Sequence, residues 1–340
     1  MILLALPLQL ASAESPRTLV VHTGTACTTG DLYFDLPSQA LASASPGDRI
    51  VICPGTYTDN LKVEVSDLLI EGMGDPSEVR IEALNTTQHV IELRNVRNVT
   101  VRNLTVSGAI GSQIAGVYVL LSSESWISDV IATGNYFGVN LASSSNITLD
   151  RIVAENNTDV GISAEGTLVS HLSDSEASGN RIGVLLTFSS DMVLEDVVAT
   201  GNSEGGFLVK YSANNTLSRL SATENGWYGI YLQDSDGNTI ADSVTINNTA
   251  SGSDGYGRFS RQLFDEMVAT ALQIGLIENP EYKLYMYLSV QSFKEFTQWD
   301  IATTIYVNAT DIRPTSLSEL EKQQIAKIDP RGYVAEYRGV

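Results

Sequence analysis

Long apolar runs are missing from this chain. No stretch reaches about 18 apolar residues, the length that begins to span a bilayer, so no membrane crossing is expected. Basic residues are half as frequent as acidic ones, 20 against 40. That balance argues against nucleic acid and anionic membranes as partners, since both select for basic patches. Histidine is confined to His22, His89 and His171, each isolated, and cysteine to Cys27 and Cys53. In an oxidising compartment the two cysteines form one disulfide closing the N-terminal region; in a reducing one they are small buried hydrophobes.

Export is favoured by two further features. Met1 to Ala13, "MILLALPLQLASA", is a short apolar run ending in Ala-Ser-Ala. It has the form of a secretory h-region and cleavage site without a basic n-region; the alternative is a buried first strand or helix. Asn-x-Ser/Thr sequons stand at Asn85, Asn98, Asn103, Asn146, Asn156, Asn214, Asn247 and Asn308. They are candidate glycosylation sites, although turns rich in Asn and Thr also generate such triplets.

What the chain has in abundance is repetition. Gly116, Gly138, Gly161, Gly183, Gly206 and Gly229 follow one another at steps of 22 or 23 residues, each followed by an apolar residue. Asn135, Asn157, Asn180, Asn202, Asn225 and Asn248 keep the same step. After each Gly, apolar residues alternate, as in Val139 and Leu141 or Val184 and Leu186, the mark of a strand with one buried face. Ile127, Leu149, Leu172, Leu194, Leu217 and Ile240 come eleven positions later, and a column of Ala at 132, 154, 177, 199 and 222 beyond them. Turn-rich clusters such as "SSSN" and "SANN" separate these runs. One such unit cannot bury its own apolar face, whereas units stacked as coils can, with like residues ~4.8 Å apart. Three strand segments per unit and no helical run point to an all-β solenoid, a parallel β-helix, rather than a leucine-rich repeat. The recurrent Asn then has two expected roles: left-handed backbone at turns, and side-chain amides bonded from coil to coil.

"LPSQALASASPGDRIVICPGTYTDNLKV", Leu36 to Val63, followed by "LLIEGMGD", closely resembles the N-terminal entry of the pectate-lyase-like right-handed β-helix superfamily. It is most similar to the NosD-like, carbohydrate-binding-and-sugar-hydrolase group. The resemblance covers about Thr18 to Gly252. It implies a helix over Leu36 to Ala44 capping the first coil, a turn at Pro46-Gly47-Asp48 and a strand over Arg49 to Cys53. It does not imply one activity, because the superfamily holds lyases, hydrolases, epimerases, adhesins and structural proteins.

The catalytic patterns of that superfamily are not found in this sequence. No Gly-His-Gly arrangement and no Asn-Thr-Asp, Asp-Asp and Arg-x-Lys set occurs. The outward positions after the repeat Gly contain one Glu and one Lys two coils apart, Glu165 and Lys210, without a carboxylate pair for acid–base work. The copper implied by the NosD name has no Cys/Met/His cluster to hold it. Asp129, Arg151, Asp174, Asp196, Arg219 and Asp242 form a charge column, six residues ahead of each Asn. Asp174 and Asp196 would be adjacent like charges, a candidate weak Ca²⁺ site with Glu195 nearby, against the alternative of a solvated charge ladder. Trp227, Tyr228 and Tyr231 share one coil, with Tyr136 and Phe137 at the corresponding turn four coils earlier. They are candidates for stacking on sugar rings, or for covering the end of the stack.

The repeat stops at Gly252. Beyond it, Ser260 to Ile277 has helical periodicity, Tyr282 to Val290 and Ile301 to Val307 alternate as strands, and Ser316 with Glu319 opens a short helix. The expected organisation is a signal-like segment at 1–13, a cap and first coil at 14–65, coils at 66–252, and a small α+β module at 253–340 closing the stack. Two functions follow: a secreted or cell-surface, non-catalytic protein that binds polysaccharide or envelope glycan or assembles with itself, and a polysaccharide lyase or hydrolase with a divergent site.

Overall fold

The computed structural model describes residues 15–248, with 234, 236 and 247 excepted, and the backbone of two further strands, Tyr285–Ser289 and Ala302–Tyr306. The chain is wound into a right-handed parallel solenoid. One face is an eight-stranded parallel sheet that includes Phe137–Ala142, Val160–Glu165, Ile182–Thr187, Gly205–Lys210 and Tyr228–Gln233. The other two faces are contributed in each coil by a pair of short strands, such as His171–Ser173 and Glu176–Ser178. In Ser123–Thr133 and Ser145–Glu155 the two run together without a break.

The register is the one counted from the sequence. Val117 pairs with Val139, Val139 with Ile162, Ile162 with Val184, Val184 with Phe207 and Phe207 with Ile230. Ile127, Leu149, Leu172, Leu194, Leu217 and Ile240 form a second column. These columns fill the interior as one apolar core, in which Ile127, Leu149, Leu194 and Leu217 are all buried.

At the corner before the first sheet, three residue types lock together. Asn157, Asn180, Asn202, Asn225 and Asn248 are buried, and each accepts the backbone N–H of the ladder Asn one coil earlier, at 2.9–3.0 Å. Each ladder amide Nδ2 from Asn157 to Asn225 also donates to the next coil's Asn and to the carbonyl of an Ala. The repeat Gly leaves room for this: a Cβ on Gly161 would lie 2.7 Å from Asn180 Nδ2 and 2.8 Å from the Gly183 carbonyl oxygen. Hence Gly, Asn and Ala recur with one period.

The left-handed backbone expected at the ladder Asn lies elsewhere. It falls on the preceding residue, Gly134, Asn156, Gly179, Gly201 or Glu224, and on three more corners per coil. The ladder Asn itself points inward, where its amide has bonding partners in both directions.

The helix expected over Leu36–Ala44 forms as Pro37–Ser43 and buries Pro37, Ala40 and Leu41. The strand expected over Arg49–Cys53 forms as Arg49–Ile52. Asp48 is buried and accepts from the Arg17 backbone N–H at 2.8 Å, its guanidinium at 2.6 Å, and the Ser45 N–H at 2.9 Å. A disulfide joins Cys27 to Cys53. Tyr285–Ser289 and Ala302–Tyr306 pair antiparallel. The signal-like segment 1–13, the helices expected at 260–277 and from Ser316, and the sequons at Asn247 and Asn308 lie outside the described residues.

Candidate functional site

Consecutive coils place Tyr136, Asp159, Arg181, Glu204 and Trp227 in one column at the entry to the first sheet. The stacking is direct: each residue from Asp159 to Trp227 donates its backbone N–H to the carbonyl of the preceding member, at 2.6–2.9 Å. Aromatic residues thus stand at the two ends, four coil steps or ~19 Å apart, and an Asp–Arg–Glu triad lies between. Arg181 bridges both carboxylates. Its surroundings pull in opposite directions. Partial burial disfavours the cation, but the bonds to Asp159 and Glu204 outweigh it and raise the guanidinium pKa. The column is therefore a flat guanidinium framed by aromatics.

The three expected aromatics do not share one role. Trp227 is 40% exposed, Tyr231 is half-buried, and Tyr228 is only 8% exposed. A Cβ on Gly205 would sit 1.9 Å from the Tyr228 ring, so Tyr228 packs directly on Gly205. Burial raises the Tyr228 hydroxyl above the usual tyrosine range, with the Glu204 charge adding to it. Tyr228 packs with Val160, Ile182 and Leu208 in an apolar cluster distinct from the interior core, against Phe137, Leu185 and Tyr231. It supports the surface and does not present a face to a ligand. Tyr136 and Phe137 meet edge to face at 5.0 Å.

The charge column is in register, and all six members have left-handed backbone, from φ 47° at Asp174 to φ 55° at Asp196. Its pairing differs from the simple alternation. Arg151 binds Asp129 at 2.6 and 2.8 Å and also reaches Asp150. The hydrogen bond from Arg151 lowers the Asp129 pKa. Arg219 grips both oxygens of Asp196 at 2.8 Å and also contacts Glu195. Asp196 is thus already paired when it meets Asp174. Among the described residues no three His, Cys, Asp or Glu side chains converge as a cation site.

Of the sequons, Asn85, Asn98, Asn146, Asn156 and Asn214 are exposed and Asn103 is half-buried. All except Asn85 occupy left-handed corners. At Asn98, Asn146, Asn156 and Asn214, a corner Asn followed by an inward residue and an outward Thr produces the triplet for a structural reason.

One feature escaped the sequence reading. Leu121, Ser143, Gly166, Phe188 and Tyr211 share another left-handed corner, at the exit from the first sheet. Phe188 and Tyr211 are 60% and 46% exposed and stack at 5.1 Å with planes 14° apart. Left-handed backbone costs a non-glycine residue roughly 1–2 kcal/mol, and exposing apolar rings adds no compensation. The signal was present in the 23-residue recurrence of "FSSD" and "YSAN".

Residues 77–172 match the family model described as the right handed beta helix region, and residues 161–257 match that of NosD, a periplasmic copper-binding protein. The protein is a right-handed parallel β-helix, similar to NosD over residues 161–257. This β-helix is similar to the A-module of the mannuronan C-5 epimerase AlgE4 of Azotobacter vinelandii, at 18% identity over 63% of this chain and 73% of that one, with a TM-score of 0.52. It is also similar to the pectin methylesterase PemA of Erwinia chrysanthemi, at 12% identity over 70% and 92%, TM-score 0.47. A third is PfbA, a surface adhesin of Streptococcus pneumoniae, at 12% over 67% and 78%, TM-score 0.45. At such identities the likeness is one of fold. No curated protein matches the chain. Copper does not fit the described residues of this β-helix. Its two cysteines are bonded to each other, and its histidines join no cluster of potential ligands. No helix among the described residues is long and apolar enough to cross a membrane.

Proposed function

We propose that this β-helix is a non-catalytic glycan-binding protein of the cell surface or extracytoplasmic space, with the column from Tyr136 to Trp227 as its platform. The observation that carries the reading is the spacing of that column. Two aromatics ~19 Å apart along a straight axis match an extended polysaccharide, whose ring faces are apolar and whose hydroxyls suit a guanidinium held between carboxylates. Several carboxylates that could serve acid–base chemistry are engaged: Asp159 and Glu204 by Arg181, Glu71 by Arg49 and Arg102, and Glu195 and Asp196 by Arg219. That favours binding over turnover. The net charge of −20 opposes self-association.

The test is a pull-down on insoluble polysaccharides of wild type, Trp227→Ala and Tyr136→Ala, with the supernatants assayed for reducing ends and unsaturated-uronate absorbance. Retention that falls about tenfold in either variant, without product, is expected. Undiminished retention in both variants would remove the platform. Turnover by wild type would move the protein to the lyases or hydrolases.

A further inference from the structure

The corner that ends each first-sheet strand lies seven residues beyond the platform column, ~20 Å across the strand. Its residues run Leu121, Ser143, Gly166, Phe188 and Tyr211, one per coil, all with φ between 48° and 58°. Ser143 and Gly166 show that the fold does not require a ring here. Phe188 and Tyr211 nevertheless hold two exposed, parallel rings, with the Lys210 ammonium 6.0 Å from the Tyr211 centroid. Below Phe188 the stack is interrupted. Gly166 has no side chain, and a Cβ built there would find nothing nearer than Ser143 Oγ at 3.7 Å. Leu121, three coil steps or ~14 Å from Phe188, closes the gap at the other end and is itself exposed.

We infer that this gap is a second glycan site, which takes one uncharged pyranose ring against the open face of Phe188. The coil spacing of ~4.8 Å is the contact distance of stacked rings, and Phe188 and Tyr211 already obey it at 5.1 Å. A sugar ring over Gly166 continues the same stack as if it were the missing side chain. Leu168, two residues further along the chain, is exposed as well. Ser143 Oγ and the exposed Glu165 carboxylate are the adjacent hydrogen-bonding groups. The negative charge of Glu165 favours hydroxyl donors and repels uronates. The site is separate from the platform and does not rest on it.

The experiment is saturation-transfer NMR with neutral cello-, malto- and manno-hexaoses, and with hexagalacturonate. Gly166→Leu fills the gap with a side chain that Leu121 already holds at the same corner; Phe188→Ser removes the wall, as Ser143 does. Both keep a residue type the corner accepts, and thermal melting checks that they fold. Wild type is expected to bind at least one neutral hexasaccharide, more weakly by about tenfold or more in both variants, with part of the binding surviving Trp227→Ala. The proposal is overturned if Gly166→Leu binds as wild type does, or if no neutral sugar binds. Complete loss in Trp227→Ala would overturn it and leave the platform standing; loss in Gly166→Leu with the platform variants silent would do the reverse. Binding confined to hexagalacturonate, or self-association abolished by Gly166→Leu, would assign the gap to another ligand.

Discussion

Replacing Asn180 by Ala removes one rung from the middle of the buried amide ladder. Asn180 Oδ1 accepts the Asn157 backbone N–H at 2.9 Å and the Asn157 amide at 3.1 Å. Its Nδ2 donates to the Ala154 carbonyl at 3.0 Å and to Asn202 Oδ1 at 3.2 Å. Alanine leaves the buried Asn157 N–H without its partner, at about 1–3 kcal/mol, and forfeits three further bonds at about 1 kcal/mol net or less each. The expected loss is about 3–5 kcal/mol. Urea unfolding followed by circular dichroism reads it as a fall in midpoint; a fall in slope as well would mean that the coils on either side of the break unfold separately. Asn156→Gly is the control, one residue away on the exposed left-handed corner, and its effect should stay within about 0.5 kcal/mol. The reasoning is refuted if Asn180→Ala costs under about 1 kcal/mol, or no more than Asn156→Gly.

Three other outcomes are expected. Reducing the Cys27–Cys53 bond, which joins residues 26 apart in sequence, should lower stability by about 3–4 kcal/mol on a chain-entropy estimate, seen as a fall in urea midpoint with dithiothreitol. Burial opposes ionisation of Asp48, but its bonds from Arg17 and Ser45 prevail and hold its pKa below 3.8. Its contribution is therefore complete above about pH 4 and lost as pH falls through the folded value; Asp48→Asn should flatten the acid limb of melting temperature against pH. Calcium should leave the wild-type melting temperature unchanged, because Arg219 holds both Asp196 oxygens, whereas a rise would restore the Asp174–Asp196 cation site.

Much of the fold was legible because the interior repeats. From Gly138 to Gly206 each repeat Gly meets the same three neighbours, an Asn amide, the next Gly carbonyl and an Ala Cβ, so one spacing determined register over those coils. The early coils were harder to count. Ile91 pairs with Val117 26 residues on and Leu61 with Ile91 30 on, because turns between their strands are longer and include the short helix Pro76–Glu78. The candidate sites were legible only as positions. Counting put Trp227 and Tyr228 in one coil, but not that Tyr228 folds over Gly205 while Trp227 stays out. Corner geometry carries little sequence signal, since Leu121, Arg151, Val169 and Phe188 all adopt left-handed backbone here. For that reason the sequence marks the Phe188–Tyr211 pair only faintly, and the left-handed corner falls one residue before the ladder Asn, mostly on Gly.

The interlock of Gly, Asn and Ala also governs how such a protein changes length. Excising residues 161–182 would join Val160 to Gly183, and the backbone and Asn-ladder bonds would find equivalent partners on the new neighbour, while Arg181 and its ion pairs to Asp159 and Glu204 would be lost with the excised coil. Duplication of the same stretch would be absorbed as readily. Gain or loss of whole units is thus a small step for this architecture, and each one shifts the distance between the end aromatics by a single coil.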